Sequence, residues 1–127
     1  MRLLIVDDEK HIRDSLKKYL SLENVASEAA ESGEVALKYL DRENFDLVIL
    51  DLKLPGMGGQ EVLEEIQRRG MNLPVIMISA HGQIPDAVSA LKNGAKDYLV
   101  KPFDPAELII KIRSLLDTEQ TAEVRDA

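Results

Sequence analysis

The chain contains no cysteine, which excludes disulfide staples and thiolate metal sites. Aromatic residues make up only 4% of it, so Leu, Ile, Val and Ala must fill the core. Basic residues are outnumbered, with 16 Lys and Arg against 23 Asp and Glu. The formal net charge of -7 excludes wrapping of nucleic acid by this chain, because phosphate binding runs on clustered Lys and Arg. No apolar run approaches the ~20 residues that a membrane helix needs. The opening segment, Met1 to Glu9, has a short apolar run followed by three acids, which is too short and wrongly flanked for a signal peptide. A cytoplasmic protein without membrane contact is the expectation. What remains is 127 residues, 45% of them hydrophobic, enough for one domain with a real core.

Short apolar runs alternate with longer helical patterns. Leu3 to Val6, Leu47 to Leu50, Val75 to Ile78 and Tyr98 to Val100 are continuous runs, as expected of parallel strands covered on both faces. A weaker run near Val25 to Ala29 suits an edge strand. Between them lie stripes at helical spacing: Ile12, Leu16, Tyr19 and Leu20; Val62, Leu63 and Ile66; Ile84, Val88 and Leu91; and Leu108, Ile109, Ile112, Leu115 and Leu116. Ser32 is placed to cap a further helix through Leu40, and Gly70 and Gly94 fall at helix C-termini. Strand followed by helix, five times over, argues an α/β doubly wound fold. Residues 1–117 form the expected domain. Residues 118–127 read as a polar tail or as the start of a linker to an output domain.

In an open parallel sheet, ligands bind at the carboxyl ends of the strands. Here the first strand ends in Asp7-Asp8, the third in Asp51, the fourth in Ser79 and the fifth in Lys101-Pro102. Alone, Asp8 reads as a helix cap, Asp51 as a loop acid, Ser79 as a solvated hydroxyl and Lys101 as a surface lysine. Together they put three carboxylates, a hydroxyl and an ammonium on one rim. Close carboxylates repel unless a cation joins them, and magnesium, which takes a few oxygen ligands and keeps waters, answers that need. Asp51 is then a candidate nucleophile for an acyl phosphate. Lys101 and the metal supply charge to the phosphoryl oxygens, and Ser79 a hydrogen bond.

Val6-Asp7-Asp8-Glu9, Leu50-Asp51-Leu52-Lys53-Leu54-Pro55-Gly56-Met57, Ile78-Ser79-Ala80, Gly94 to Leu99 and Val100-Lys101-Pro102-Phe103 together resemble the receiver domains of bacterial two-component response regulators. The resemblance implies a five-stranded flavodoxin/CheY-like parallel sheet in the order 2-1-3-4-5 with five helices. It makes Asp51 the phosphoacceptor. Asp7, Asp8 and Asp51 become magnesium ligands, together with the backbone carbonyl of Lys53. Ser79 becomes the switch hydroxyl, Ala80 the small residue that admits the phosphoryl group, and Lys101 its ammonium partner. Tyr98 matches the aromatic switch position, set against a plain reading as a half-buried strand tyrosine. The bond before Pro102 is expected to be cis. The Lys53 side chain and His81 are placed to tune phosphate lifetime, His81 having an equal claim to be a loop histidine.

The turn Pro55-Gly56-Met57-Gly58-Gly59 lacks the acid that the family often carries there, so Gly58 must cap the third helix at a loss of a few tenths of a kcal/mol. Glu28 and the turn Ser79 to Gly82 resemble the NtrC-like transcription activators that carry a central ATPase. The resemblance further implies a sensor histidine kinase as donor and an output domain as target. Phosphorylation-dependent homodimerisation is expected through the face of the fourth helix, fifth strand and fifth helix, where Ile110 lies opposite the apolar stripe and should be exposed. Such a domain catalyses only its own aspartyl phosphorylation and dephosphorylation. Three rivals stand beside this reading. A haloacid-dehalogenase-like phosphatase would want an Asp-x-Asp on the first strand. A flavodoxin-like nucleotide binder would want a Gly-rich loop where the acids stand. A docking domain of the same fold would never be phosphorylated.

Overall fold

A computed structural model of the chain describes the backbone of residues 1–80 and 84–126, with side chains described for 1–80 and 87–116. Strand and helix alternate throughout: β1 Arg2–Val6, α1 Lys10–Leu22, β2 Ala26–Ala30, α2 Gly33–Arg42, β3 Leu47–Asp51, α3 Gly59–Arg68, β4 Val75–Ser79, α4 Ile84–Lys92, β5 Asp97–Val100 and α5 Pro105–Asp126. All four strand pairings are parallel, in the order β2-β1-β3-β4-β5. The chain leaves β1 for β2 on one side and returns to β3 on the other. The carboxyl ends of β1 and β3 therefore border the crevice where this topology places ligands.

Successive strand side chains point to opposite faces, and the core divides accordingly. Leu3, Ile5, Leu47, Ile49, Ile76, Ile78 and Leu99 pack with Leu16 and Leu20 of α1 and Leu108, Ile109 and Ile112 of α5. Leu4, Val6, Val48, Leu50, Val75 and Met77 pack with α2, α3 and Ala90 of α4. Both faces of β1, β3 and β4 are covered, which is why those strands read as unbroken apolar runs. β2 is the edge strand its weak pattern suggested, with only Ala30 fully buried.

The helix ends follow local chemistry. Ser32 accepts from the Val35 amide at 3.1 Å and caps α2, while Gly58 caps α3 with no side-chain bond. Gly70 and Gly94, just past α3 and α4, have φ of +69° and +108°, the conformation that favours glycine after a helix.

One stripe is corrected. Val88 and Leu91 do not face the core: both are nearly half exposed, and Ala90, on the opposite side of α4, is the residue buried against the sheet. A small Ala lets the helix backbone approach the sheet and turns its larger apolar residues outward. Ile84, the third member of that stripe, lies outside the described side chains. The helix α5 continues past residue 117 as far as Asp126. No helix among the described residues is long and apolar enough to cross a membrane.

Candidate functional site

Among the described residues, three buried side chains are polar or charged: Asp7, Asp51 and Ser79. All three stand at the carboxyl rim of the sheet. Burial of such groups is costly unless they are paired, so their clustering marks the place where the fold spends stability. Backbone pairing carries each there. The Asp7 amide extends the β1–β2 ladder by donating to Ala30 O at 3.1 Å, Leu52 N donates to Ile78 O at 2.8 Å, and Lys101 N donates to Ser79 O at 2.8 Å.

The Lys101 ammonium joins the acids. Its Nζ lies 2.7 Å from Asp7 Oδ2, 3.2 Å from Asp51 Oδ2 and 3.9 Å from Glu9 Oε1. Asp7 Oδ1 accepts from the Glu9 amide at 2.9 Å, and Asp51 Oδ1 accepts from the Lys53 amide at 3.1 Å. Asp8, exposed at the rim, completes a set with Asp7 and Asp51 whose carboxylate oxygens lie within 4.8 Å of one another. Three hard oxygen donors of this kind suit magnesium. A pocket of about 200 Å³ opens over them, lined by Asp8, Asp51, Lys53, Ser79, Ala80 and Lys101 among others.

One ammonium does not balance two buried carboxylates equally. Burial raises the proton affinity of Asp51, and the nearby charge of Asp7 raises it further, against the lowering effects of the Lys53 amide and Lys101. For Lys101, burial works to lower the pKa, but the hydrogen bond to Asp7 and the charges of Asp51 and Asp7 outweigh it and the net shift is upward. The two directions look opposed, since a lysine so well paired ought to lower its partner. Lys101 lies closer to Asp7 than to Asp51, and for Asp51 burial outweighs what that ammonium gives back.

The sequence pattern of the response regulator receiver domain matches residues 3–113. The chain belongs to that family. Among curated relatives, the transcriptional regulatory protein ResD of Bacillus subtilis is 40% identical over 115 residues, covering 91% of this chain and 48% of that protein. A receiver domain protein described as CheY-like, from Methanospirillum hungatei, superposes with a TM-score of 0.88 at 35% identity, covering 95% of this chain and 97% of that one. NtrX from Brucella abortus superposes with a TM-score of 0.88 at 39% identity, over 98% of this chain and 29% of NtrX. This receiver therefore spans about half the length of the curated relatives it matches.

The receiver fold brings Asp8, Asp51, Ser79, Ala80 and Lys101 to one pocket, with the buried Asp7 carboxylate beside Asp8 and Asp51, at the strand ends where the sequence placed them. The Lys53 side chain is exposed at its edge and the bond before Pro102 is cis. Tyr98 sits apart: its ring is half-buried against the α2, α3 and α4 side of the core, and among the described residues its buried hydroxyl has no hydrogen-bond partner. His81 lies outside the described residues. Beside the acidic pocket, Ile12, Leu16, Pro102, Phe103 and Pro105 line an apolar groove of about 520 Å³ between α1 and the start of α5.

Two residues at the site were not anticipated. Gly59 begins α3 so close to the end of β3 that an added Cβ would stand 2.1 Å from Asp51 O and 2.8 Å from Leu52 Cα. The Gly58-Gly59 pair looked like a weakened cap, and only the packing shows that its second glycine is a close approach. Arg13, one turn into α1, donates from Nη1 to Asp7 O at 2.9 Å. Nothing in its spacing distinguished it from the other basic residues of α1.

Proposed function

We propose that this receiver is the phosphorylation-controlled switch of a longer regulator, and that Asp51 takes the phosphoryl group. The observation that carries this reading is the environment of Asp51. It is 4% exposed, opens on a pocket, and has one ammonium shared with Asp7. A carboxylate of raised proton affinity is the stronger nucleophile once ionised. One Asp51 oxygen attacks the phosphorus of the donor, and the bond from phosphorus to the donor breaks with its electron pair leaving on the donor. Lys101 lies where it balances charge on the phosphoryl oxygens. Ser79 and the small Ala80 border the same space. Magnesium would be held by Asp7, Asp8 and Asp51 with the Lys53 carbonyl, and would supply the remaining positive charge. The only catalysis is of the chain's own phosphorylation and dephosphorylation, with Lys53 and His81 placed to tune the latter.

The donor in this reading is a sensor histidine kinase in the cytoplasm, and the apolar groove beside Lys101 gives it a surface next to the rim. The output is transcription, through a further domain beyond the receiver unit of residues 1–117, to which residues 118–127 lead; similarity to NtrX favours the NtrC-like activators. Phosphate adds about -1.5 to -2 charges, and contacts made only in the modified state bias a pre-existing equilibrium. Ser79 moves toward the phosphate and Tyr98 follows. The receiving surface is the α4-β5-α5 face. Val88, Leu91, Val100 and Ile110 are exposed there, Ile110 at 68%, and they are four of the six large exposed hydrophobics among the described residues. Phosphorylation-dependent homodimerisation through that patch is the expected consequence. Equilibrium sedimentation with and without beryllofluoride checks it, and an unchanged mass counts against it.

A further inference from the structure

The second acid of the rim, Asp8, is the exposed member of the metal-binding set. An exposed side chain at the tip of a loop has many orientations, and each one that points away from the pocket weakens a shared metal site. The turn that carries Asp8 has little local support. α1 has Glu9 at its N-cap with no side-chain cap bond, and no acid in its first turn. Beyond the backbone bonds at Asp7 and Glu9 and the Lys101 contact to the Asp7 carboxylate, two hydrogen bonds hold the turn. On the inner side, Glu9 N donates to Asp7 Oδ1 at 2.9 Å, closing a loop around Asp8. On the outer side, Arg13 Nη1 donates to Asp7 O at 2.9 Å. Helical side chains lean toward the N-terminus of their helix, so a long side chain four residues into α1 reaches back to that carbonyl.

We infer that Arg13 is a positioning residue for the metal site: by holding the Asp7 carbonyl it fixes the Asp7–Asp8 peptide and aims the Asp8 carboxylate into the pocket. The peptide unit is planar, so pinning the Asp7 oxygen sets the plane from which the Asp8 side chain leaves. The inference rests on the proposed metal-binding reading of Asp7, Asp8 and Asp51. It makes a counter-intuitive demand. Arg13 carries a positive charge beside a cation site, so a bystander guanidinium opposes the metal, and its removal tightens binding. A positioning guanidinium, when removed, loosens binding.

Magnesium titration of the full chain by calorimetry, with no phosphodonor present, separates the two by sign. Arg13→Met keeps the apolar stem and removes the donors, whereas Arg13→Lys keeps a charged donor able to reach the carbonyl. The expected result is a magnesium dissociation constant at least five-fold weaker in Arg13→Met and within two-fold of the parent in Arg13→Lys. Thermal unfolding without magnesium confirms that each variant is folded before titration. If Arg13→Met does not fold, Arg13→Gln, which shortens the reach and keeps a neutral amide, takes its place with the same expectation. Unchanged or tighter binding in the neutral variant overturns the role of Arg13, as does equal weakening in Arg13→Lys. A parent chain that binds no magnesium overturns the metal-site reading as well.

Discussion

Lys101 Nζ stands 0.5 Å closer to Asp7 than to Asp51, at 2.7 Å against 3.2 Å. The better-paired acid is the fully buried Asp7, and the less well-paired one opens on the pocket. The acid proposed to react is thus the less closely paired of the two, and several consequences can be measured.

Asp51→Asn removes a buried carboxylate whose charge burial disfavours. The folded-state pKa of Asp51 is raised by burial first and by Asp7 second, so the folded chain holds this proton more tightly than the unfolded one. Its contribution to stability falls as pH rises above the ordinary carboxylate value of 3.8 through the elevated folded value. The difference in melting temperature between Asp51→Asn and the parent should grow in favour of the variant from pH 4 to pH 7 in metal-free buffer. Each ~1 kcal/mol of relief corresponds to roughly 4 °C in a domain of this size. Magnesium should stabilise the parent more than the variant.

Lys101→Met leaves Asp7 and Asp51 without their ammonium. Breaking a buried pair by removing one partner costs about 3–5 kcal/mol, so the urea midpoint should fall sharply without metal and recover in part with magnesium. In the parent, the raised pKa of Lys101 means that its contribution is fully present below 10.5 and is lost as pH rises through the folded value. Alkaline unfolding should reveal it. A variant indifferent to magnesium speaks against a shared charge balance at this rim.

Gly59→Ala forces a Cβ to within 2.1 Å of Asp51 O, a backbone atom that cannot step aside. The variant should lose at least about 1–3 kcal/mol by urea denaturation, the range for overpacking. Gly58→Ala, whose Cβ meets nothing nearer than 3.8 Å, should lose less.

Tyr98→Phe deletes a buried hydroxyl that has no hydrogen-bond partner among the described residues. An unpaired buried donor costs about 1–3 kcal/mol, so the unphosphorylated variant should be as stable as the parent or more so. A clear loss of stability would show that the hydroxyl is paired.

Much of this was legible in the chain because parallel strands declare themselves as apolar runs, and the residues just past the end of each run form the candidate site. Asp7, Asp8, Asp51, Ser79 and Lys101 could each be placed at a strand end before any contact was known. The α4 stripe was not legible. Val88 and Leu91 have helical spacing whether they face the sheet or solvent, and the small Ala90 that takes the inward place gives no apolar signal. Gly59 and Arg13 were also hidden, for a different reason. Their roles depend on atoms brought near by the fold, Asp51 O in one case and Asp7 O in the other, and periodicity carries no trace of either.

The central claim is that Asp51 is the phosphoacceptor, and intact-mass measurement after incubation with a small acyl-phosphate donor and magnesium tests it most directly. The expected result is the gain of one phosphoryl group that is released by hydroxylamine, needs magnesium, and is absent in Asp51→Asn. A parent chain that gains none, or an Asp51→Asn variant that gains as much as the parent, would contradict the account.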